Sequence, residues 1–287
     1  MKVGFIGLGA MGLHMARNLH GAGLLSIIWN RSSEKAQQLA AELGCDLAAS
    51  PAALAERCDA IVLCVAADAD VLDVIDQLLP GAAADLLVMD CSTVSSATAQ
   101  QAATLLATRG AQFLDCPVSG GTEGARDAAL AIMVGGSEQV FQRSLPVLQA
   151  MGRTITRFGD TGAGQAAKAT NQIMCAGIIR AIAEAMAFAH AQGLPLDRVV
   201  DTLSKGAGSS WYFVNRAPNM VRGSYPAGFR VRLHAKDLRI CRDMAAAHGV
   251  QLPVIETLLA DYAQLIAEGH GDEDISAVYR LTERLFG

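Results

Sequence analysis

One lysine in this chain lies in a setting suited to proton transfer. Lys168 is near the start of an apolar stretch, and Asn171, Gln172 and Cys175 follow at spacings that place all four on one helix face. An ammonium kept out of water gives up its proton more readily, so we predict that Lys168 is a general acid and base. The two amides beside it are candidates for binding a substrate hydroxyl or carboxylate. The same spacing also fits a lysine that packs its stem at a helix start and extends its charge into solvent.

A glycine-rich turn follows the first predicted strand and precedes the first predicted helix. In a dinucleotide-binding unit such glycines allow a tight turn, close approach of the backbone to the pyrophosphate, and close packing of helix on strand. The helix N-terminus adds free N–H groups and a partial positive charge. The turn begins a βαβ unit, which favours a cofactor loop over an ordinary glycine turn. The predicted loop comprises Gly7, Leu8, Gly9, Ala10, Met11 and Gly12.

The end of the second predicted strand indicates which cofactor is used. An NAD site usually carries an acidic residue there for the ribose 2′-hydroxyl. This chain has Asn30, Arg31 and Ser32 instead, and the nearest carboxylate, Glu34, falls in the following helix. Arginine can pair with a 2′-phosphate and serine can donate to it, so we predict NADP(H) in preference to NAD(H). The alternative is that Arg31 is an ordinary solvated surface residue.

Three other segments follow predicted strands, where an open α/β sheet binds its ligands. Val65, Ala66 and Thr93 are candidates for lining the cofactor path, although Thr93 could instead belong to the N-cap region of the next helix. A third segment has accessible backbone N–H groups and a hydroxyl that suit a substrate carboxylate; taken alone, it is equally an ordinary glycine-rich connection. Its candidate residues are Ser119, Gly120 and Gly121.

The first part of the chain alternates short apolar runs with helical patterns, and this alternation stops near residue 159. It predicts an α/β, Rossmann-type doubly wound sheet in a cofactor domain at 1–162, followed by an all-α substrate and dimerisation domain at 163–287. A helix of about 29 residues begins the second part, and it is either a buried core helix or an interdomain helix that also packs on a second subunit. Predicted strands are 2–6, 25–30, 60–66, 86–91, 112–116, 130–134 and 154–158; predicted helices are 11–21, 33–43, 69–79, 95–109, 137–151, 164–192, 195–204, 215–221, 235–248, 253–269 and 274–286.

Composition excludes several classes of protein. A net charge of −5 argues against nucleic-acid partners, which require a basic face. Seven cysteines without CxxC spacing suit reduced thiols in a cytoplasm, and no metal cluster is evident. The most apolar stretch contains Arg180 and Glu184, so we expect a soluble cytoplasmic protein without a membrane span.

Taken together, four motifs make the chain resemble the β-hydroxyacid dehydrogenase family, which includes 3-hydroxyisobutyrate dehydrogenases and tartronate semialdehyde reductases (2-hydroxy-3-oxopropionate reductases). The resemblance covers essentially the whole chain. It rests on the glycine-rich loop, on the segments 115–125 and 162–168 with Asn171, and on Lys236-Asp237-Leu238.

The resemblance implies roles for individual residues. It makes Lys168 the catalytic acid and base, makes Ser119, Gly120, Gly121 and Asn171 substrate contacts, and places Thr93 and Lys236 near the nicotinamide. It also implies a homodimer or homotetramer. Family members commonly carry Asn-Asn where this chain has Asn171-Gln172, which leaves the detailed substrate open.

The signals for the substrate branch are mixed. Trp211 is similar to the tryptophan of hydroxyisobutyrate-type enzymes and is a candidate to close over the substrate, while Asn215-Arg216-Ala217-Pro218 is closer to the tartronate semialdehyde type. The expected activity is NADP-dependent interconversion of a short 3-hydroxy acid and its semialdehyde. The alternatives are an imine reductase on the same scaffold, against which Lys168 argues, and a sensor that binds NADP without chemistry.

Overall fold

The computed structural model describes residues 1–286 and divides the chain into two compact units. The first unit is Met1–Lys168, and the second begins at Ala169. All strands of the described chain belong to the first unit: β1 (Val3–Ile6), β2 (Leu25–Trp29), β3 (Asp46–Leu47), β4 (Ala60–Leu63), β5 (Leu87–Asp90), β6 (Gln112–Asp115), β7 (Val118–Ser119), β8 (Leu130–Gly135) and β9 (Gly152–Gly159).

These strands form one sheet in the order β3-β2-β1-β4-β5-β6-β8-β7, and β9 pairs with β8. The strands from β3 to β6 are parallel, and β8 runs antiparallel to β6 and β7. The order reverses between β1 and β4, which is the point where a doubly wound sheet opens a ligand crevice at its carboxyl edge. The structure therefore confirms the doubly wound, mostly parallel sheet.

The central strands β1, β4 and β5 are buried on both faces, as parallel sheets require. Val3 and Phe5 of β1 belong to the core on one face, while Ile6 belongs to the core on the other. Helices cover both faces: α1 (Gly12–Gly21), α2 (Ser33–Leu43), α3 (Pro51–Ala55), α4 (Asp68–Leu78), α5 (Ser96–Ala107), α6 (Gly121–Arg126) and α7 (Glu138–Gln149).

The predicted long helix is confirmed as α8 (Ala163–Ala191), with 29 residues. It begins in the first unit and continues into the second. Its two central charges are paired, since Arg180 bonds both Glu184 and Asp261. Among residues 1–286 it is also the one helix long and apolar enough to cross a membrane, and 39% of that stretch is buried within the protein.

The second unit is entirely helical over its described residues, as predicted. Its core includes the fully buried Tyr262 and the apolar faces of the surrounding helices. After α8 these are α9 (Leu196–Leu203), α10 (Trp211–Arg222), α11 (Val231–Ala246), α12 (Pro253–Ala267) and α13 (Tyr279–Glu283).

Several predicted boundaries are wrong. The two-residue strands β3 and β7 and the short helices α3 and α6 have too few residues for a period to be visible in the sequence. Helix α10 begins four residues before the predicted start because the Ser210 hydroxyl accepts a bond from the Phe213 N–H at 3.0 Å and caps the helix. Helix α11 also starts earlier, at Val231, and the predicted last helix is divided into two short 3-10 segments flanking α13.

Candidate functional site

The glycine-rich loop has the shape that a dinucleotide requires. Gly7 has a φ of +98°, and a Cβ there would lie 2.1 Å from the Cys64 carbonyl oxygen. A Cβ on Gly12 would lie 1.9 Å from the Gly7 carbonyl oxygen. A Cβ on Gly9 would have open space around it instead, so the backbone at Gly9 is accessible to a phosphate. The loop and the start of α1 therefore fit a dinucleotide.

Asn30, predicted to contact the cofactor, holds this loop in place. Its Oδ1 accepts a bond from the Leu8 N–H at 2.8 Å, and its Nδ2 donates to the Ser32 carbonyl at 3.0 Å. One side chain thus links the end of β2 to the glycine-rich loop. This geometry assigns Asn30 a supporting role in the cofactor site, which the sequence pattern did not show.

Arg31 lies at the same end of the sheet with its side chain 84% exposed. Its Nη1 donates to Asp70 Oδ1 at 2.8 Å, and Asp70 belongs to α4. Ser32 is exposed at the N-cap position of α2. Because the bond to Asp70 uses one of the five guanidinium N–H donors, Arg31 has donors remaining for a phosphate.

The segments after β4 and β5 are linked to each other. The Val65 N–H donates to the buried Ser92 Oγ at 2.9 Å, and the Ser92 N–H donates to Asp90 Oδ1 at 2.9 Å. Ala66 is exposed and Thr93 is half-buried in these segments. The N-cap of α5 is Ser95, whose Oγ accepts from the Thr98 N–H at 3.1 Å, so Thr93 does not serve as that cap.

A buried carboxylate at the end of β6 caps the long helix. Asp115 accepts bonds from the N–H groups of Gly162 at 2.8 Å and Gln165 at 2.9 Å. These are N–H groups that the first turn of a helix leaves without intrahelical partners. Burial raises the pKa of Asp115, and the backbone N–H donors act against that rise. Asp115 thus fixes the start of α8 to the sheet.

Lys168 follows Gln165 by three residues, on the same face of α8. The lysine is only 6% exposed, and Gln165 is 1% exposed. The structure therefore places the predicted proton donor out of water, one helical turn from a start that is tied to the sheet. A snorkelling lysine would leave its charged end in solvent, which this burial does not support.

The predicted substrate turn has a backbone that requires glycine. Ser119 ends β7 and pairs with Ala131 of β8. Gly120 and Gly121 follow with φ values of +136° and +65°, which L side chains rarely adopt, and α6 begins at Gly121. The turn presents the Ser119 hydroxyl and the first amides of α6 close together in the chain.

In the second unit, the amides after Lys168 form a polar chain. Asn171 Nδ2 donates to Gln172 Oε1 at 2.8 Å, and Gln172 Nε2 donates to Asp237 Oδ2 at 2.7 Å. Asp237 also pairs with Lys236 Nζ at 2.8 Å. Gln172 is 2% exposed, and its amide is engaged at both ends. Gln172 is one methylene longer than the family asparagine, and its bond to Asp237 connects α8 to α11.

Trp211 is the first residue of α10 and is 55% exposed. The Arg216 guanidinium lies 5.1 Å from the centre of its ring, and the Tyr212 ring lies edge-on at 5.7 Å. The indole is thus held on one side and open on the other. That arrangement suits the predicted cover over a substrate.

Sequence reasoning missed four supporting residues. Asp115, Gln165 and Asp237 lay inside recognised motifs without an assigned role, and Ser92 had no signal of its own. The only available hint was that polar residues stand within otherwise apolar segments, where burial demands partners.

Thiols and metal ligands add little to this site. All seven cysteines are free, and burial raises the pKa of Cys91 and Cys116 well above the ordinary thiol value. Among residues 1–286 there is no group of three His, Cys, Asp or Glu side chains placed to hold a metal ion.

Comparison with known proteins defines the class. The model described as the NAD binding domain of 6-phosphogluconate dehydrogenase matches residues 2–159. The model described as NAD-binding of NADP-dependent 3-hydroxyisobutyrate dehydrogenase matches residues 162–282. With the doubly wound sheet and the glycine-rich loop, these matches define an NAD(P)-dependent oxidoreductase that acts on the hydroxyl group of a small acid.

Relatives agree along nearly the full length. L-threonate dehydrogenase of Escherichia coli K12 is 36% identical over 97% of this chain and 94% of its own. NAD-dependent L-serine dehydrogenase of Pseudomonas aeruginosa is 33% identical over 98% and 97%. The structure of Mycobacterium tuberculosis 3-hydroxyisobutyrate dehydrogenase with L-serine has a TM-score of 0.89 and 34% identity, with 98% of each chain covered. This chain belongs to the 3-hydroxyisobutyrate dehydrogenase family of 3-hydroxyacid dehydrogenases.

Proposed function

We propose that this chain is an NADP(H)-dependent oxidoreductase that interconverts a short 3-hydroxy acid and its semialdehyde, with Lys168 as general acid and base. The observation that carries the proposal is the burial of Lys168 on the first turns of a helix tied to the ends of β5 and β6. Those strand ends are where a doubly wound sheet binds its cofactor.

The proposed roles follow from the chemistry of each group. A nicotinamide cofactor held by the glycine-rich loop, with Thr93 and Lys236 near its nicotinamide, would supply or accept the hydride. Lys168 donates a proton to the carbonyl oxygen during reduction and removes the hydroxyl proton during oxidation. The backbone amides of Gly120 and Gly121, with the Ser119 hydroxyl, bind the substrate carboxylate. Asn171 contacts the substrate, and its own amide is oriented by Gln172.

The role of Lys168 is tested with two substitutions and one control. Lys168→Ala removes the proton donor, so we expect kcat to fall roughly 10²-fold or more while the Kd for NADPH is kept. Lys168→Arg keeps the charge but cannot release the proton, so it stays equally inactive. Lys205→Ala changes an exposed lysine and retains activity. A near-normal kcat in Lys168→Ala would contradict the proposal.

The proposed substrate is a small carboxylate with a hydroxyl on its β carbon. The relatives reported above are named for L-threonate, L-serine or 3-hydroxyisobutyrate, and each of these small acids has a hydroxyl on its β carbon. NADPH oxidation and NADP reduction should be measured over these acids, tartronate semialdehyde, simple aldehydes and ketone–amine pairs. Turnover of ketone–amine pairs alone would instead identify an imine reductase, and cofactor binding without any turnover would identify a sensor.

The NADP(H) preference is supported by the end of β2. Arg31 lies exposed there, beside the loop held by Asn30, and no acidic residue occupies positions 30–32. Relatives of this family include both NAD- and NADP-dependent enzymes by name, so the cofactor depends on such local residues.

We also propose a soluble cytoplasmic homodimer or homotetramer without nucleic-acid or membrane partners. Support comes from α8, which carries the large apolar side chains of Met174 and Phe188 at 61% and 55% exposure. Nearby in the chain, Leu194 and Leu203 are about as exposed. A second copy of this chain would cover such an apolar surface.

A further inference from the structure

The buried side chain of Gln165 bonds the backbone on both sides of one residue. Its Oε1 accepts from the Val94 N–H at 3.1 Å, and its Nε2 donates to the Ser92 carbonyl at 2.9 Å. The residue between these two partners is Thr93. A single amide therefore fixes the backbone around Thr93 from both directions.

The backbone of Gln165 is fixed as well. Its N–H donates to Asp115 Oδ2 at 2.9 Å, so this residue joins the start of α8 to the ends of both β5 and β6. Lys168 lies three residues further along the same helix. Movement of the Thr93 segment relative to the first turns of α8 would break at least one of these bonds.

We propose that Gln165 is a positioning residue that keeps the Thr93 segment and Lys168 in a fixed relative placement. This inference rests on the proposed function, in which Thr93 lies near the nicotinamide and Lys168 transfers the proton. Hydride and proton must reach adjacent atoms of the same substrate bond. A displacement of about 1 Å between such groups can cost a large part of the rate.

The bonding pattern is specific to an amide of this length. Ser92 supplies an acceptor and Val94 supplies a donor, so the side chain between them needs one donor and one acceptor. Asparagine is one methylene too short to reach from the same backbone position. An ionised glutamate has acceptors only and faces the Ser92 carbonyl with a charge, whereas a protonated glutamate restores both bonds.

This difference between the ionised and the protonated glutamate can be tested by varying the pH of the assay. The pKa of an ordinary glutamate is about 4.3. In Gln165→Glu, burial and the Asp115 carboxylate bonded to the residue 165 N–H raise the pKa of the new carboxyl, and the Lys168 ammonium one turn along α8 acts against that rise. The new carboxyl therefore gains its proton as the pH of the assay is lowered from about 8 toward about 5.5. We expect kcat of Gln165→Glu, divided by kcat of the parent enzyme, to rise about tenfold over that interval. For Gln165→Met, which removes both bonds at similar volume, the same ratio should be low and independent of pH.

Two further measurements separate positioning from cofactor affinity and from stability. The Kd for NADPH should change less than about threefold in both variants, because the glycine-rich loop and Arg31 are held by other residues. Amide hydrogen exchange at Val94 should be faster in Gln165→Met than in the parent enzyme. Gln101→Glu on the exposed face of α5 is the matched control. Its kcat, divided by kcat of the parent enzyme, should not change with pH.

The outcomes distinguish the two proposals. A parent enzyme without turnover on the substrate panel contradicts the proposed function and the role of Gln165 with it. An active parent enzyme with Gln165→Met within about twofold of its kcat contradicts the role of Gln165 alone. A flat pH ratio for Gln165→Glu, or unchanged exchange at Val94 in Gln165→Met, also overturns it. Gln165→Glu is compared with the parent enzyme at each pH, so a folding defect in Gln165→Met leaves the test intact.

Discussion

Two neighbouring side chains at the end of β2 have different surroundings, and the proposed choice of cofactor depends on them. Asn30 is directed inward to the loop, and Arg31 is directed to the surface, where its bonded partner is Asp70. An NAD site usually has a carboxylate in this region for the ribose, whereas this chain has a guanidinium that already has one acidic neighbour. A 2′-phosphate would compete with Asp70 for this guanidinium.

Replacing Arg31 should therefore change cofactor preference. Arg31→Asp loses a charge-assisted bond and adds a repulsive charge, so we expect kcat/KM for NADPH to fall about 10- to 100-fold relative to that for NADH. The measurement is kcat/KM with both cofactors before and after the change. Equal use of NADPH and NADH by the parent enzyme would contradict the predicted preference.

At the scale of elements, specific backbone contacts fix where α8 begins and where it ends. Asp115 accepts bonds from the first turn, and Gly193 ends the helix in a left-handed conformation with a φ of +70°. The Leu194 N–H then bonds back to the Ala189 carbonyl at 3.0 Å, as in a Schellman motif. Gly193 therefore terminates α8.

The end of α8 should be sensitive to substitution by a residue with a Cβ. Gly193→Ala places an L side chain in the left-handed region, so we expect a loss of about 1–2 kcal/mol in the free energy of unfolding. Gly21→Ala is the matched control, since Gly21 ends α1 outside the left-handed region with open space around a Cβ. Thermal unfolding of both variants checks this, and equal Tm values would show that the Gly193 conformation adds no strain.

At the scale of the whole molecule, the exposed apolar surface near α8 predicts assembly. The chain has a mass of 30.0 kDa, so light scattering should give two or four times that mass. Met174→Glu with Phe188→Glu should shift the mass toward the monomer, because burying two carboxylates at an apolar interface is costly.

Val250→Glu is the control for assembly. Val250 is a similarly exposed apolar residue located after α11, and its substitution should leave the mass unchanged. A parent protein that elutes as a monomer would contradict the proposed assembly. So would an unchanged mass in the double variant.

Local signals in the sequence were sufficient to predict much of the fold and the cofactor loop. The βαβ alternation, the loop at 7–12 and the 29-residue helix are visible because each depends on a period or a spacing within a short segment. The family is identifiable for the same reason, since its motifs are contiguous.

Only the tertiary structure determined which polar residues support the site. Gln165 meets Ser92 and Val94 across more than 70 positions of sequence, and Gln172 meets Asp237 across 65. Such pairs have no local spacing, because they exist only once separate elements pack and buried polar groups must find partners. The sequence by itself determined the fold class, the cofactor loop and the candidate lysine; the packing of the chain decided what holds each of them in place.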